Sequence, residues 1–417
     1  MTPARPLDPP WQPGAPRRRA ARAVAFSLAS PAATTSAMQR GISLLAGPAF
    51  GGLALRTESV LAVDDPDAVL VALDDNRASL AEDERLLFLL GYEASVALDP
   101  RAPRRAHDPR LGPSCFVWRC RVVSDPLSSS SSSSGWLRLS TTTAARDAHR
   151  RRVVAARERL LDGVIYQANL AHRLDVAARD FAFGLAFFRA RAAGVACAAF
   201  VDVPGWGSLV SLSPERFVVG DLARGEVRTY PIKGTAPRGR TPEEDSARRA
   251  ALLASTKDRA EHVMIVDLLR NDLGRVAVIG GVTVERLLAP LSAPNVHHLE
   301  TAIHARLRDG VGLRDLLWAT APGGSITGAP KSSALEAISE LEDGPRGAYT
   351  GLLGVVDSAG RFATSLLIRT WLRPDDGGPG ALHVGGGIVV DSDPDAEWQE
   401  TLHKARAFGA VDVEETG

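Results

Sequence analysis

Between Ala198 and Ile232 the chain lays down four short apolar runs broken by turn residues, and that stretch restricts the folds open to it. Ala198-Ala-Phe-Val-Asp-Val and Ser208-Leu-Val-Ser-Leu flank Gly205-Trp-Gly, and Arg216-Phe-Val-Val-Gly is followed by Glu226-Val-Arg-Thr-Tyr-Pro-Ile. Runs of this length, rich in β-branched and aromatic residues and punctuated by glycine, predict hairpins. Long stretches of helical periodicity surround them. Val153, Val154, Leu160 and Leu161 predict a helix from Ala145 to about Asp162. Others are expected from Pro242 to about Asp272 and from Asp393 to Gly409, the last after a strand over Leu382–Val390. Shorter elements are expected at Gly41-Ile-Ser-Leu-Leu, Val60-Leu-Ala-Val and Leu86 to Tyr92. Hairpins among long helices imply α+β with antiparallel sheets rather than a parallel doubly wound sheet.

At 417 residues the chain can bury a large core. Residues 1–22 combine proline with Arg17-Arg18-Arg19 and are expected to be a disordered leader. An N-terminal α+β region should span 23–140, interrupted by a mobile serine loop at Ser128–Ser134, with a catalytic domain over 145–412. Lys plus Arg equals Asp plus Glu at 49 each, so no net charge draws the chain to nucleic acid or an anionic membrane. No run of eighteen apolar residues suggests a membrane span. Cys115, Cys120 and Cys197 fall in no CxxC or CxxH spacing, which fits neither a disulfide framework nor zinc and suits a reduced, cytoplasmic setting.

Arginine far outnumbers lysine, which singles out Lys233 in Tyr230-Pro-Ile-Lys-Gly-Thr-Ala-Pro-Arg238. An amine between a stiff Pro-Ile pair and a Gly-Thr turn sits at a strand end with its reach fixed. Desolvation lowers a lysine pKa and frees a nucleophilic lone pair. Most lysines beside turns are solvated surface charges, so the rest of the chain must decide.

Two predicted helices carry acids three apart: Asp258 and Glu261 on one, Glu397 and Glu400 on the other. Residues at i and i+3 share a helix face, so two such pairs facing each other would make the oxygen-rich site that Mg²⁺ prefers. Glu400 and Lys404 could equally form a surface i,i+4 ion pair. Pro322-Gly-Gly-Ser-Ile-Thr-Gly-Ala-Pro-Lys331 is a glycine-rich loop entering a helix, where backbone N–H groups and the hydroxyls of Ser325 and Thr327 could receive a carboxylate. It lacks the residue order of a nucleotide P-loop. Gly385-Gly-Gly387 marks a close approach to the backbone. Arg369 ends an apolar strand, where an ion pair or an anion would each account for it.

Together these segments resemble the chorismate-utilising family of anthranilate, aminodeoxychorismate, isochorismate and salicylate synthases. The matching stretches, in family order over about 145–410, are Ile165-Tyr-Gln-Ala-Asn-Leu170, Ser213-Pro-Glu-Arg-Phe217, Pro231-Ile-Lys-Gly-Thr235 and Glu261 to Asp272. They continue through His298-Leu, Pro322 to Lys331, Gly347-Ala-Tyr-Thr-Gly351, Ile368-Arg369 and Gly385 to Lys404. Lysine at 233, where anthranilate and salicylate synthases usually carry alanine, resembles the aminodeoxychorismate synthase branch.

The resemblance implies two interleaved α+β subdomains with stacked antiparallel sheets, helices outside and the site in the cleft. It implies amination of chorismate by ammonia to 4-amino-4-deoxychorismate, a transferase step toward p-aminobenzoate and folate. Lys233 would be the nucleophile and Glu215 the general acid, with His298 near the enolpyruvyl group. Glu261 and Glu400, backed by Asp258 and Glu397, would hold Mg²⁺. Ser325, Thr327, Tyr349, Arg369, Gly385, Gly386, Gly387 and Lys404 would hold the substrate. Asp258 stands where the family often has Glu, and no clear tryptophan-binding motif occurs in the N-terminal third. The chain has no Gly-x-Cys-x-Gly glutaminase elbow, so a glutamine amidotransferase in trans is the expected ammonia source. Anthranilate synthase, or a non-catalytic chorismate-binding subunit, are the alternatives.

Overall fold

The computed structural model describes residues 24–26, 42–62, 65–108, 111, 114–123, 135–203, 206–292 and 296–415. The expected leader, the Ser128–Ser134 run and Gly205 lie outside the described residues.

The chain opens with β1 (Val24–Phe26), β2 (Ile42–Ala46), β3 (Leu53–Ala62), α1 (Pro66–Arg77), β4 (Glu84–Leu90), α2 (Tyr92–Ala97) and β5 (Cys115–Val123). There follow β6 (Leu137–Thr142), α3 (Thr143–Leu161), β7 (Gln167–Val176), α4 (Phe181–Arg191), β8 (Cys197–Val203) and β9 (Gly207–Ser213). Next come β10 (Arg216–Asp221), β11 (Glu226–Thr229), β12 (Ile232–Pro237), α5 (Pro242–Ala254), α6 (Thr256–Gly274), β13 (Ala277–Ser292) and β14 (Val296–Leu307). The remainder is α7 (Leu313–Thr320), β15 (Gly328–Ala329), α8 (Lys331–Leu341), β16 (Leu352–Asp357) and β17 (Arg361–Leu366). It ends with β18 (Thr370–Pro374), β19 (Gly380–Ile388), α9 (Pro394–Ala405) and β20 (Gly409–Glu414).

Both expected hairpins form: β8 pairs with β9 and β10 with β11, each antiparallel. Two helix boundaries differ from expectation. The single helix expected over Pro242–Asp272 is two, because Ser255 is extended and its hydroxyl accepts the Asp258 N–H at 3.2 Å, capping α6. The final helix stops at Ala405, and Gly409 to Glu414 instead pair parallel to β6, where they gain ladder hydrogen bonds.

Strand pairings run continuously as β13–β14–β11–β10–β17–β16–β4–β5–β3–β2–β8–β9–β18–β19–β7–β6–β20. Every pair but β6–β20 is antiparallel, and β12 joins β14 beside β11. A sheet this long twists and folds back on itself. Side-chain alternation shows it. Leu86, Phe88 and Leu90 of β4 pack with Leu70 and Leu73 of α1, Leu269 of α6 and Leu335 of α8. Leu87 and Leu89, one residue out of phase, pack instead with Leu55, Val201, Leu209 and Leu372 of the opposite lobe. On the far side Phe187 and Phe188 of α4 cover Phe200, Val210 and Trp371. The layers are therefore helix, sheet, sheet, helix. Among the described residues no helix is long and apolar enough to cross a membrane.

Candidate active site

Lys233 is the second residue of β12, opposite Leu299, and the β12–β14 register shifts directly after it. Gly234 absorbs that bulge at φ +73°, a conformation that favours glycine. Bulges re-aim the neighbouring side chain, here the amine. Burial pushes the Lys233 pKa below that of a free lysine, and Lys404 adds to the effect. Glu261, Glu215 and Glu400 oppose it, which places all three carboxyls within electrostatic reach of one amine. Among the described residues no hydrogen bond engages the Lys233 Nζ.

Glu215 follows β9 and is 6% exposed. Burial raises its carboxyl to about 7, against the lowering influence of Ser325 and Lys233. The Ser325 hydroxyl, carried on the Gly324–Ile326 turn, donates to Glu215 Oε1 at 2.6 Å. Ser325 thus orients the acid, a role that its glycine-rich setting did not suggest. Thr327 is not brought into the group: its hydroxyl donates to Gly323 O at 2.9 Å, inside its own loop.

The two acid-bearing helices converge. Glu261 of α6 is raised by burial and further by Asp258 and Glu400, so the α9 acid faces the α6 pair. Burial also raises Glu397, whose Oε1 accepts from Ser392 at 2.5 Å. Glu400 is lowered despite burial, because Lys404 pairs with it at 2.7 Å. Lys404 also donates to Gly385 O at 2.8 Å, so it ties α9 to β19. Among the described residues no group of three or more His, Cys, Asp or Glu is placed to hold a metal unaided. Two carboxylates close enough to repel each other still match Mg²⁺, which takes one or two and completes its shell with water and substrate.

The glycines of β19 lie between these groups. A methyl on Gly386 would stand 3.0 Å from Glu397 Oε2 and 3.8 Å from Glu400 Oε1. Gly385, between them and the loop, pairs with Ala171 of β7. One residue of this group escaped the sequence reading. Gln167, at the start of β7, is fully buried, and neither polar atom of its amide has a hydrogen-bond partner among the described residues. It meets the same face of Gly387 as Lys233 does. The signal was an amide inside the apolar stretch from Ile165 to Leu170.

His298 of β14 is buried at 4% exposure, and its Nδ1 lies 3.0 Å from Thr235 Oγ1 and 3.4 Å from Gly234 O. A carbonyl only accepts, so Nδ1 carries the proton, and Nε2, without a partner among the described residues, is a bare acceptor. Burial and the neighbouring Arg369 push its pKa down to about 4, so the ring is neutral. Arg369 adopts φ +49°, and burial lowers its guanidinium pKa. The guanidinium makes no hydrogen bond or ion pair among the described residues, as an anion-binding cation would. Tyr349 is buried against His383, ring centroids 5.4 Å apart, and burial raises its phenol to about 12.

Beneath the site lies a second residue set that sequence reasoning missed. Arg346 is 1% exposed and pairs with Glu342 through two hydrogen bonds of 2.9 and 2.6 Å. It also donates to Ile326 O at 3.1 Å and to Asn169 O at 2.6 Å, joining the Ser325 turn to β7.

Residues 119–410 match the family described as chorismate binding enzyme. Aminodeoxychorismate synthase component 1 of Escherichia coli (strain K12) is 46% identical over 248 residues, 59% of this chain and 53% of that protein. Anthranilate synthase component 1 1 of Haloarcula marismortui is 42% identical over 269 residues, 64% of this chain and 54% of that protein. The chain thus spans about half the length of the curated relatives it matches. In fold it is similar to anthranilate synthase component I from Streptococcus pneumoniae, with a TM-score of 0.69 at 24% identity over 89% of this chain and 90% of that one. The menaquinone-specific isochorismate synthase of Escherichia coli gives 0.65 at 19% identity, covering 88% and 87%. A family match over most of the chain, on a fold shared with those synthases, makes this protein a member of the chorismate-binding enzyme family.

Proposed function

We propose that this chain aminates chorismate, as component 1 of an aminodeoxychorismate synthase fed with ammonia by a separate glutamine amidotransferase. The observation that carries this reading is the desolvated Lys233 amine in electrostatic contact with a Glu215 whose carboxyl is raised to about 7. The neutral amine adds to ring C2, the diene electrons shift, and the C4–O bond breaks as Glu215 gives its proton to the leaving oxygen, releasing water. Ammonia then bonds to C4, the electrons return, and the C2–N bond to Lys233 breaks to restore the amine. Gln167 is the group placed to orient the entering ammonia, and Arg369 to hold a carboxylate. Mg²⁺ bound by Glu261 and Glu400, with Asp258 and Glu397 behind them, would neutralise the ring carboxylate and draw electrons from the diene.

The test is purified chain with chorismate, Mg²⁺ and ammonium at alkaline pH, with products resolved by mass. A product carrying the amino group with the pyruvyl ether retained supports the reading. Anthranilate plus pyruvate would instead establish the second reading, which the 42% identity to a protein of that name favours. Lys233→Ala that still aminates at the parent rate removes the covalent step.

A further inference from the structure

One residue after each proposed metal-binding acid, the helix makes a fully buried hydrogen bond to the sheet beneath it. On α6, Glu261 is followed by His262, whose Nε2 lies 2.7 Å from the Thr301 Oγ1 of β14. On α9, Glu400 is followed by Thr401, whose Oγ1 lies 2.8 Å from the His172 Nε2 of β7. The same pair of residue types recurs with the partners exchanged. His262, Thr301 and Thr401 are all 0% exposed and His172 is 7%.

Each hydroxyl is held from a second side. Thr401 donates to Trp398 O at 2.8 Å, so its oxygen must accept from His172, whose ring also stacks on Trp398 at 4.5 Å. Thr301 Oγ1 accepts the Leu288 N–H of β13 at 3.1 Å. Apolar packing such as that of Ile265 and Leu269 fixes which face of α6 is buried, yet it tolerates small rotations about the helix axis. A directional hydrogen bond does not. Adjacent helical residues differ by a fixed angle about the axis, so fixing residue 262 or 401 fixes the aim of 261 or 400.

We propose that His262–Thr301 and His172–Thr401 are matched positioning clamps that aim the two carboxylates at one shared cation. The proposal rests on the reading of Glu261 and Glu400 as metal ligands. Partners that orient ligands in this way typically change metal affinity by about ten- to a hundred-fold when removed.

The experiment measures binding of Mn²⁺, a paramagnetic stand-in for Mg²⁺, to the substrate-free chain, alongside melting temperature. Thr401→Val and Thr301→Val keep the shape and remove the hydroxyl, while Thr401→Ser and Thr301→Ser keep it. The valine variants should bind Mn²⁺ about ten-fold more weakly at 25 °C, far below their melting transitions, and the serine variants should bind like the parent. Valine variants that melt lower but bind Mn²⁺ unchanged would overturn the clamps and leave the metal site intact. A parent that binds no Mn²⁺, with Glu261→Gln no different, sinks the metal reading and the clamps with it. Should a valine variant fail to fold, serine variants with weakened Mn²⁺ binding would count against the hydroxyl as the clamping group.

Discussion

The Lys233 Nζ stands where a side chain at Gly387 would need room: a methyl on the glycine would lie 3.0 Å from that nitrogen and 2.5 Å from the Gln167 Nε2. The absent side chain is what lets an amine and an amide share one face of β19. Gly387→Ala should therefore displace one or both. Steady-state amination should fall by at least about ten-fold, because small misplacements of reacting groups carry penalties of that order. The melting temperature should move little, since β19 keeps its ladder to β7. An alanine variant with parental kcat would show that the two groups need not meet there.

The rate should follow a bell in pH. Glu215 must carry its proton to act as the acid, so its titration near 7 sets one breakpoint of the profile. Lys233 must have lost its proton, and burial brings the second breakpoint down from the range of a free lysine. The profile should be recorded at constant free ammonia. Glu215→Gln should lose about 10²- to 10⁴-fold in rate, together with the breakpoint near 7. A parent profile without a breakpoint near 7 would assign the acid elsewhere.

Arg369 is a desolvated cation without a partner among the described residues, which costs stability and suits an anionic ligand. Arg369→Gln should raise the KM for chorismate about ten-fold or more while the melting temperature holds or rises. Unchanged KM would leave the guanidinium without a function that the structure explains.

Arg346 and Glu342 form a buried pair, and removing one partner strands the other. Arg346→Met should lower unfolding free energy by about 3–5 kcal/mol. It should also loosen the Ser325 turn, because Ile326 O loses its donor. Denaturant midpoints with hydrogen exchange at 323–328 would report both effects. A variant as stable as the parent would contradict the pairing.

The sequence carried the chemistry further than the packing. Lys233, Glu215, Glu261 and Glu400 were legible because local motifs announce them, and the electrostatics draw them together. The α+β class was legible from hairpin spacing. What stayed hidden depends on contacts between distant segments. Thr401 meets His172 across 229 residues, and Arg346 meets Asn169 across 177. Nothing local marks either partner. Ser255 was missed for another reason: a serine inside a helical pattern is tolerated, so only its extended backbone shows that it caps. Thr327 resembled a ligand group by composition, yet its hydroxyl satisfied a nearer carbonyl.

The pairing of β4 with β16 joins Leu87 to Val355 and Leu89 to Leu353. An excised C-terminal fragment would leave β16 as a naked border, apolar from Leu352 to Val356, the kind of strand that recruits another molecule's backbone. During synthesis that edge of the early strand must wait for a partner made more than two hundred residues later, so this junction is among the long-range contacts that close late.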